Sequence, residues 1–142
     1  LEKGTGKKMA IVGYFPFVPE LERVAKEFWV FEKDRAKGGI AAEESPEIIP
    51  LAEVVGITGT TLPNHTIDGL LELCSPQAYV VLMGPTTPLC PGLFKHHFDA
   101  ICGTKTLDAE GVLSAASQGA THRDIKGMVR VLTMFRPEGR PF

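Results

Sequence analysis

Hydroxyl and amide side chains are concentrated in one short stretch of the sequence, from Thr58 to Thr66. The stretch reads Thr-Gly-Thr-Thr-Leu-Pro-Asn-His-Thr and lies between an apolar run, Val54 to Ile57, and a helical pattern that begins at Ile67. Where a buried strand turns into a helix, backbone N–H groups without a hydrogen-bond partner lie beside these side chains. Such N–H groups attract anions. The predicted chemistry is binding of an anion or a polar small molecule. Helix capping alone is an equal alternative, because Thr and Asn are common caps and turn residues.

A second turn of similar composition follows the apolar run Tyr79 to Met83 and reads Gly-Pro-Thr-Thr-Pro from Gly84 to Pro88. Carboxyl ends of parallel strands meet at one edge of a sheet, so we expect both turns to face the same ligand. The ligand-binding residues predicted in the two turns are Thr58, Gly59, Thr60, Thr61, Asn64, Gly84, Pro85, Thr86 and Thr87.

Glu32 adds a carboxylate at the end of the apolar run Phe28 to Phe31. In nucleotide-binding doubly wound folds, an acidic residue about 20 positions after the first glycine turn binds a ribose hydroxyl, and Glu32 has this relation to Gly13. The glycine signature itself is incomplete, because Gly13-Tyr14-Phe15-Pro16 has one glycine where the motif needs three. A solvated strand end is an equal interpretation of Glu32.

Metal-binding side chains are present but poorly spaced. Cys90, His96, His97 and Cys102 could supply thiolate and imidazole to zinc or a similar ion, but they are predicted on different elements. His65 is the better candidate for a single functional imidazole, although a solvated histidine at a helix start is the more ordinary interpretation. The weak metal candidates are therefore His65, Cys90 and His96, and the cofactor is unknown, with a divalent or heavy metal ion left open.

The sequence leaves open whether the protein is an enzyme. Gly59-Thr60-Thr61 is not the GxSxG turn of a nucleophilic serine, and no lysine follows a glycine turn at the spacing of a phosphate-binding loop.

The remaining pattern alternates apolar runs with helical periodicity. Strands are predicted at 9–12, 28–31, 53–57, 79–83, 99–102 and 128–134, with helical segments between most of them. This order predicts an α/β fold, a three-layer Rossmann-like doubly wound domain with a mostly parallel sheet of about six strands. We divide the chain into a linker-like segment at 1–7, the Rossmann-like domain at 8–134 and a tail at 135–142.

Composition supports one globular domain and limits its partners. The chain has 142 residues, and 44% of them are apolar. Its net charge of -2 does not favour binding to nucleic acid. No apolar run approaches the roughly 20 residues that span a membrane, and no secretory leader is visible. The three cysteines form no CxxC pair. We predict a cytoplasmic protein that contacts neither nucleic acid nor membrane.

Several of these motifs occur together, and in order, in one known family: Gly13-Tyr14-Phe15-Pro16, Phe31-Glu32, Ile57-Thr58-Gly59-Thr60-Thr61, Asn64 with Thr66, and Gly84-Pro85-Thr86-Thr87-Pro88-Leu89. The chain resembles the Rossmann-like C-terminal domain of the "putative heavy-metal chelation" family, whose function is unknown. The resemblance covers about residues 8 to 134.

The resemblance implies that an enolase-N-terminal-like domain precedes this one in the family, and that the presumed site lies between the two domains. That first domain is absent from this sequence. The resemblance also implies a pocket lined by the loops after strands one, three and four, with a role in binding metal or a metal-containing ligand. It nominates Glu32, Thr58, Gly59, Thr60, Asn64, Gly84, Pro85 and Thr86, whereas His96-His97 and Cys90 depart from the family pattern.

Three functions remain open. The favoured one is a ligand-binding domain for a metal, a metal chelate or an anionic small molecule, whose site is completed by an upstream enolase-N-terminal-like domain or by a partner subunit, a homo-oligomer included. The alternatives are an enzyme domain that binds an adenosine-containing cofactor through Glu32, and a protein-interaction module whose loop edge docks a partner.

Overall fold

Six strands form one sheet in the computed structural model, which describes residues 2–32, 39–40, 44–121 and 123–137. The sheet order is 2-1-3-4-5-6, and the first five strands are parallel while the sixth runs antiparallel to the fifth. The predicted α/β fold with a mostly parallel six-stranded sheet is confirmed. In chain order the strands are β1 Lys8–Val12, β2 Glu27–Phe31, β3 Val54–Thr58, β4 Tyr79–Met83, β5 Ala100–Thr106 and β6 Val129–Phe135.

Helices cover both faces of the sheet, which gives the predicted three layers. On one face, Met9 and Ile11 of β1 pack in a buried cluster with Leu21. On the other face, Ala10 of β1 belongs to a second cluster that includes Ile49 and Ile67. The helices are α1 Val18–Val24, α2 Ser45–Ile48, α3 Ile67–Leu73 and α4 Ala109–Ser117, with 3-10 turns at Ile49–Leu51, Gly59–Thr61, Pro91–Lys95 and Lys126–Met128.

The strand order creates a switch point between β1 and β3. The chain leaves β1 toward β2 on one side of the sheet and continues from β3 toward β4 on the other, so the two connections diverge at this position. In open α/β sheets, ligands bind in the crevice outside the carboxyl ends of the strands at such a point.

Two element boundaries differ from prediction by more than one residue. In the sequence, apolar residues recur at helical spacing from Leu21 to Phe28 and predict a longer first helix. Instead, α1 ends at Val24, because Lys26 already donates its N–H to the Lys7 carbonyl beside the sheet. The fifth strand was predicted to end at Cys102 and instead continues to Thr106, because its polar second half pairs with β6.

Asp108 precedes α4 and caps it, as is usual for an aspartate before a helix, because its Oδ1 accepts a hydrogen bond of 2.9 Å from the N–H of Gly111. The segment 33–46 is charged and glycine-rich, so its sequence predicts a surface loop. It lies largely outside the described residues, although Ile40 forms a parallel bridge with Phe31. Most of the predicted tail, 138–142, also lies outside them. None of the described helices combines the length and the apolar character that crossing a membrane requires.

Candidate functional site

The ends of β1 and β3 meet at Gly13 and Thr58. Gly13 has φ +102°, in the left-handed region that favours glycine, and a Cβ atom built on it would lie 3.0 Å from the Thr58 Cβ. The N–H of Gly13 donates to the Phe31 carbonyl at 2.8 Å. The carboxyl ends of β2, β1 and β3 are therefore in contact at the switch point.

The Gly84 turn closes the same edge from the side of β4. Gly84 has φ +122°, and a Cβ built on it would lie 3.8 Å from the Thr58 Oγ1 and 3.6 Å from the Phe15 ring. Its N–H donates to the Cys102 carbonyl at 3.1 Å, which ties the turn to β5. The structure thus brings the two predicted glycine and threonine turns together.

Hydrogen bonds separate the threonines of the first turn into different roles. The buried Thr61 donates its hydroxyl to the Thr58 carbonyl at 2.7 Å, so it holds the turn together. The Oγ1 atoms of Thr58 and Thr60 lie 3.2 Å apart, and the N–H of Thr60 reaches the Thr58 Oγ1 at 3.5 Å. Within that hydroxyl pair one O–H donates to the other oxygen, which leaves the second O–H to donate to a ligand. Capping and ligand binding are therefore compatible at this turn.

Asn64 and His65 lie on the exposed outer part of the same turn. The N–H of Asn64 donates to the Thr60 carbonyl at 3.3 Å, and the N–H of His65 donates to the Leu62 carbonyl at 3.1 Å. His65 has φ +56°, a conformation that no other non-glycine residue adopts among those the structure describes. Histidine is one of the residue types that tolerate this region, so the conformation fits a tight turn and leaves both side chains in solvent.

Thr87 lies directly beneath the Thr58 turn. Its side chain is 3% exposed, and a Cβ built on Gly59 would lie 2.5 Å from the Thr87 Oγ1 and 2.7 Å from its backbone nitrogen. Only glycine therefore fits at position 59. Among the described side chains, Thr87 Oγ1 is the buried polar atom without a hydrogen-bond partner.

The other predicted ligand residues occupy the rim. Pro85 and Thr86 are exposed in the turn between Gly84 and Thr87. Glu32 follows β2 directly, and since Phe31 accepts the Gly13 N–H, Glu32 lies next to the Gly13 turn.

Aromatic side chains after β1 complete this edge, and the sequence analysis treated them only as a turn. The Phe15 ring lies 3.7 Å from the position of a Cβ built on Gly13 and is 8% exposed. The Phe17 ring stacks on it, with centroids 5.1 Å apart and planes at 11°, and is 43% exposed. Tyr14 is also exposed. The available signal was three aromatic residues within four positions beside the first glycine turn.

The weak metal candidates do not converge. His65 is in the Thr58 turn, Cys90 precedes the 3-10 turn Pro91–Lys95 in the chain, and His96 follows that turn. His96 instead lines a groove of about 470 Å³ together with Asp68, Glu72 and Cys74. Within the described ranges, no group of three or more His, Cys, Asp or Glu side chains is arranged to hold a metal ion.

The surroundings of Cys74 in that groove favour a structural role for its thiol. Burial raises the pKa of its thiol to about 11, and its Sγ donates to the Leu70 carbonyl at 3.3 Å. A thiol with this pKa stays protonated at neutral pH and is a poor metal ligand.

Comparison with known proteins gives one consistent family. The sequence model of DUF364, described as "Putative heavy-metal chelation", matches residues 1–135. An uncharacterized protein of Methanocaldococcus jannaschii is 31% identical over 134 residues, which are 90% of this chain and 52% of that protein.

Solved structures of the same family share the fold. A DUF364 protein of unknown function from Desulfitobacterium hafniense has a TM-score of 0.84 and 29% identity, over 94% of this chain and 55% of that one. Another from Pyrococcus horikoshii has a TM-score of 0.79 and 21% identity, over 92% of this chain and 55% of that one. The chain spans about half the length of these relatives.

Proposed function

This chain belongs to the DUF364 family, and we propose that it binds an anionic or heavy-metal-containing small molecule at the carboxyl edge of its sheet. The metal in this proposal is cargo, carried within the ligand. The Thr58 and Thr60 hydroxyls and the backbone of the Gly13 and Gly84 turns make the contacts, and another domain or subunit completes the site.

The observation that carries the proposal is the convergence of three loops at the β1–β3 switch point. The Thr58 side chain lies against both glycine turns, within 4 Å of a Cβ built on either one. Glycine at these positions leaves backbone exposed to a ligand that side chains would otherwise block. The family description supports a metal-containing ligand, and the half-length match supports a site that a second domain or subunit completes.

Ligand binding can be tested by calorimetry and thermal melting of the whole chain. The probes are inorganic phosphate and the copper(II) complex of citrate, with copper sulfate and citrate as separate controls. A ligand at 100 times its dissociation constant should stabilise the fold by about 2.7 kcal/mol, which is a shift of several degrees for a domain of this size. We expect Thr60→Ala to weaken binding about tenfold, because it removes the exposed hydroxyl of the pair.

Thr133→Ala is the matched control, because Thr133 is also exposed but lies on β6. It should bind as the parent does. Equal binding by the Thr60→Ala and Thr133→Ala variants would contradict the proposed site, as would the absence of any shift with both probes.

The position of Glu32 favours a second candidate function, binding of an adenosine-containing cofactor. The residue lies at the end of β2 beside the Gly13 turn, where a carboxylate could accept hydrogen bonds from ribose hydroxyls. Glu32→Ala should then lose binding of AMP or NAD, while Glu27→Ala at the opposite end of the same strand should keep it. Identical titrations for both variants would exclude this candidate.

A further inference from the structure

We infer that the ligand of this site contains a flat conjugated ring, which stacks on Phe17 while its anionic oxygens reach the Thr58–Thr60 hydroxyl pair. This inference rests on the proposed function and specifies the class of ligand. The ligand is an aromatic carboxylate, bound either free or as its metal chelate.

Phe15 and Phe17 are held in place by the core and by each other. Phe15 is buried among Met9, Ile11 and Leu21 beneath α1, and its ring edge contacts the Gly13 and Gly84 turns. It is therefore anchored by the core. Phe17 stacks almost parallel on this anchored ring, which fixes the plane of the Phe17 ring as well.

Part of the Phe17 ring is exposed to solvent. An aromatic ring that is 43% exposed, and that stacks on a neighbour only 8% exposed, offers a flat apolar surface to solvent. Tyr14 is 45% exposed in the same loop. Flat aromatic surfaces bind conjugated rings by offset stacking, with a gain beyond that of apolar contact alone.

The aromatic rings and the threonine hydroxyls lie close together at the Gly84 turn. A Cβ built on Gly84 would lie 3.6 Å from the Phe15 ring and 3.8 Å from the Thr58 Oγ1, so ring and hydroxyl flank the same turn. The Phe15 ring at this turn is buried, and the exposed ring of Phe17 stacks on it, so we place the ligand across the turn, with its ring on Phe17 and its anionic oxygens on the remaining O–H donor of the hydroxyl pair. A flat ring with attached carboxylates matches both.

A matched pair of chelators tests the ring directly. Dipicolinate and iminodiacetate both coordinate copper(II) through one nitrogen and two carboxylates, but only dipicolinate is a planar aromatic molecule. The 1:1 copper complexes of both, the two metal-free chelators and copper sulfate alone are titrated into the whole chain by calorimetry. We expect the dipicolinate form to bind about two- to tenfold more tightly than the matching iminodiacetate form.

Variants at position 17 link this preference to the stacked ring. Phe17→Leu should abolish the preference for dipicolinate and leave iminodiacetate binding unchanged, whereas Phe17→Trp should preserve the preference. Phe135→Leu is the matched control, because Phe135 is an exposed aromatic residue on β6. Thermal melts without ligand establish that each variant is folded.

The outcomes separate the two proposals. Equal binding of the paired probes, unaffected by Phe17→Leu, would overturn the flat-ring inference and leave the proposed binding function intact. Failure of all these probes to bind would overturn the flat-ring inference, and the phosphate and copper citrate titrations would then decide the proposed function separately. A preference for dipicolinate over iminodiacetate supports the ring with or without copper, and the tighter of the two dipicolinate forms identifies the free acid or the chelate as the better ligand.

Discussion

Thr87 connects the candidate site to the sheet through backbone contacts on two sides. Gly59 packs against its nitrogen and hydroxyl, and Gly103 of β5 packs against its carbonyl oxygen. A methyl group added at either glycine would meet backbone atoms of Thr87, so no side-chain rotation can make room for a larger residue there. The position of the Thr58 turn therefore depends on the buried Thr87.

This packing predicts opposite effects of the same substitution at two glycines. Gly59→Ala should lower the free energy of unfolding by about 1 to 3 kcal/mol, because the new methyl group would meet the Thr87 backbone. The methyl group of Gly69→Ala within α3 would meet no atom within 4 Å, so this variant should raise the free energy of unfolding by roughly 0.5 to 1 kcal/mol. Urea unfolding followed by circular dichroism measures both, and a Gly59→Ala midpoint equal to that of the parent would disprove the contact.

Strands whose composition contrasts with that of their flanking segments were predicted correctly, and those without such contrast were not. β4 was predicted at its observed bounds because five apolar residues stand between polar and glycine-proline segments. The end of β5 was wrong because Thr104 to Thr106 carry no apolar signal, and their strand conformation comes from pairing with β6. Long-range pairing of this kind leaves little trace in a local pattern.

Strands β4, β5 and β6 are joined at one end by a clamp of hydrogen bonds that was not predicted from the sequence. Arg136 donates from Nε at 2.9 Å and from Nη2 at 2.6 Å to the Phe98 carbonyl, and its own N–H donates to the Asp99 carbonyl. The Asp99 side chain accepts the Val80 N–H at 2.8 Å. The end of β6 is thus tied to the beginnings of β4 and β5.

Removal of the clamp should be costly. Arg136→Ala leaves the carbonyl of the buried Phe98 without the two guanidinium donors, and we expect a loss of about 1.5 to 3 kcal/mol in unfolding free energy. Arg136→Lys should lose less, since an ammonium group can still donate. Arg130→Ala, at an exposed position on β6, should change stability by less than about 0.5 kcal/mol. Chemical unfolding that ranks Arg130→Ala with Arg136→Ala would contradict the clamp.

For the whole molecule, proton binding by Cys74 links stability to pH. Burial raises the pKa of the thiol from 9.0 to about 11, so between these values the folded chain keeps a proton that the unfolded chain has released. The folded state then binds more protons, and stability must fall as pH rises through this window. Thermal melts from pH 8 to 11 should show this decline.

Cys74→Ala tests the origin of the decline and should flatten it. Some slope should remain, because burial and the nearby Asp99 also raise the pKa of Tyr79. An unchanged pH profile in the Cys74→Ala variant would rule out the thiol as its source.

The sequence predicted where the two glycine and threonine turns lie but not the aromatic stack beside them. The two turns were predicted to share an edge, and they do, because the carboxyl ends of parallel strands lie at the same edge of a sheet. The stacking of Phe15 and Phe17 was not predicted, because it depends on a core that forms only when α1 packs on the sheet. Domain limits, partners and cellular location stay predictions.

The connection between β5 and β6, which contains α4, is a place where the chain can accept inserted residues. No residue of α4 is buried, and Leu113 at its middle is 71% exposed, whereas the carboxyl edge of β1 and β3 is packed to the point of excluding a methyl group. Exposed segments of this kind accept inserted sequence, a fused reporter or an attached dye with little effect on folding. A fluorophore at position 113 would let the molecule be followed during ligand titrations without touching the loops of the proposed site.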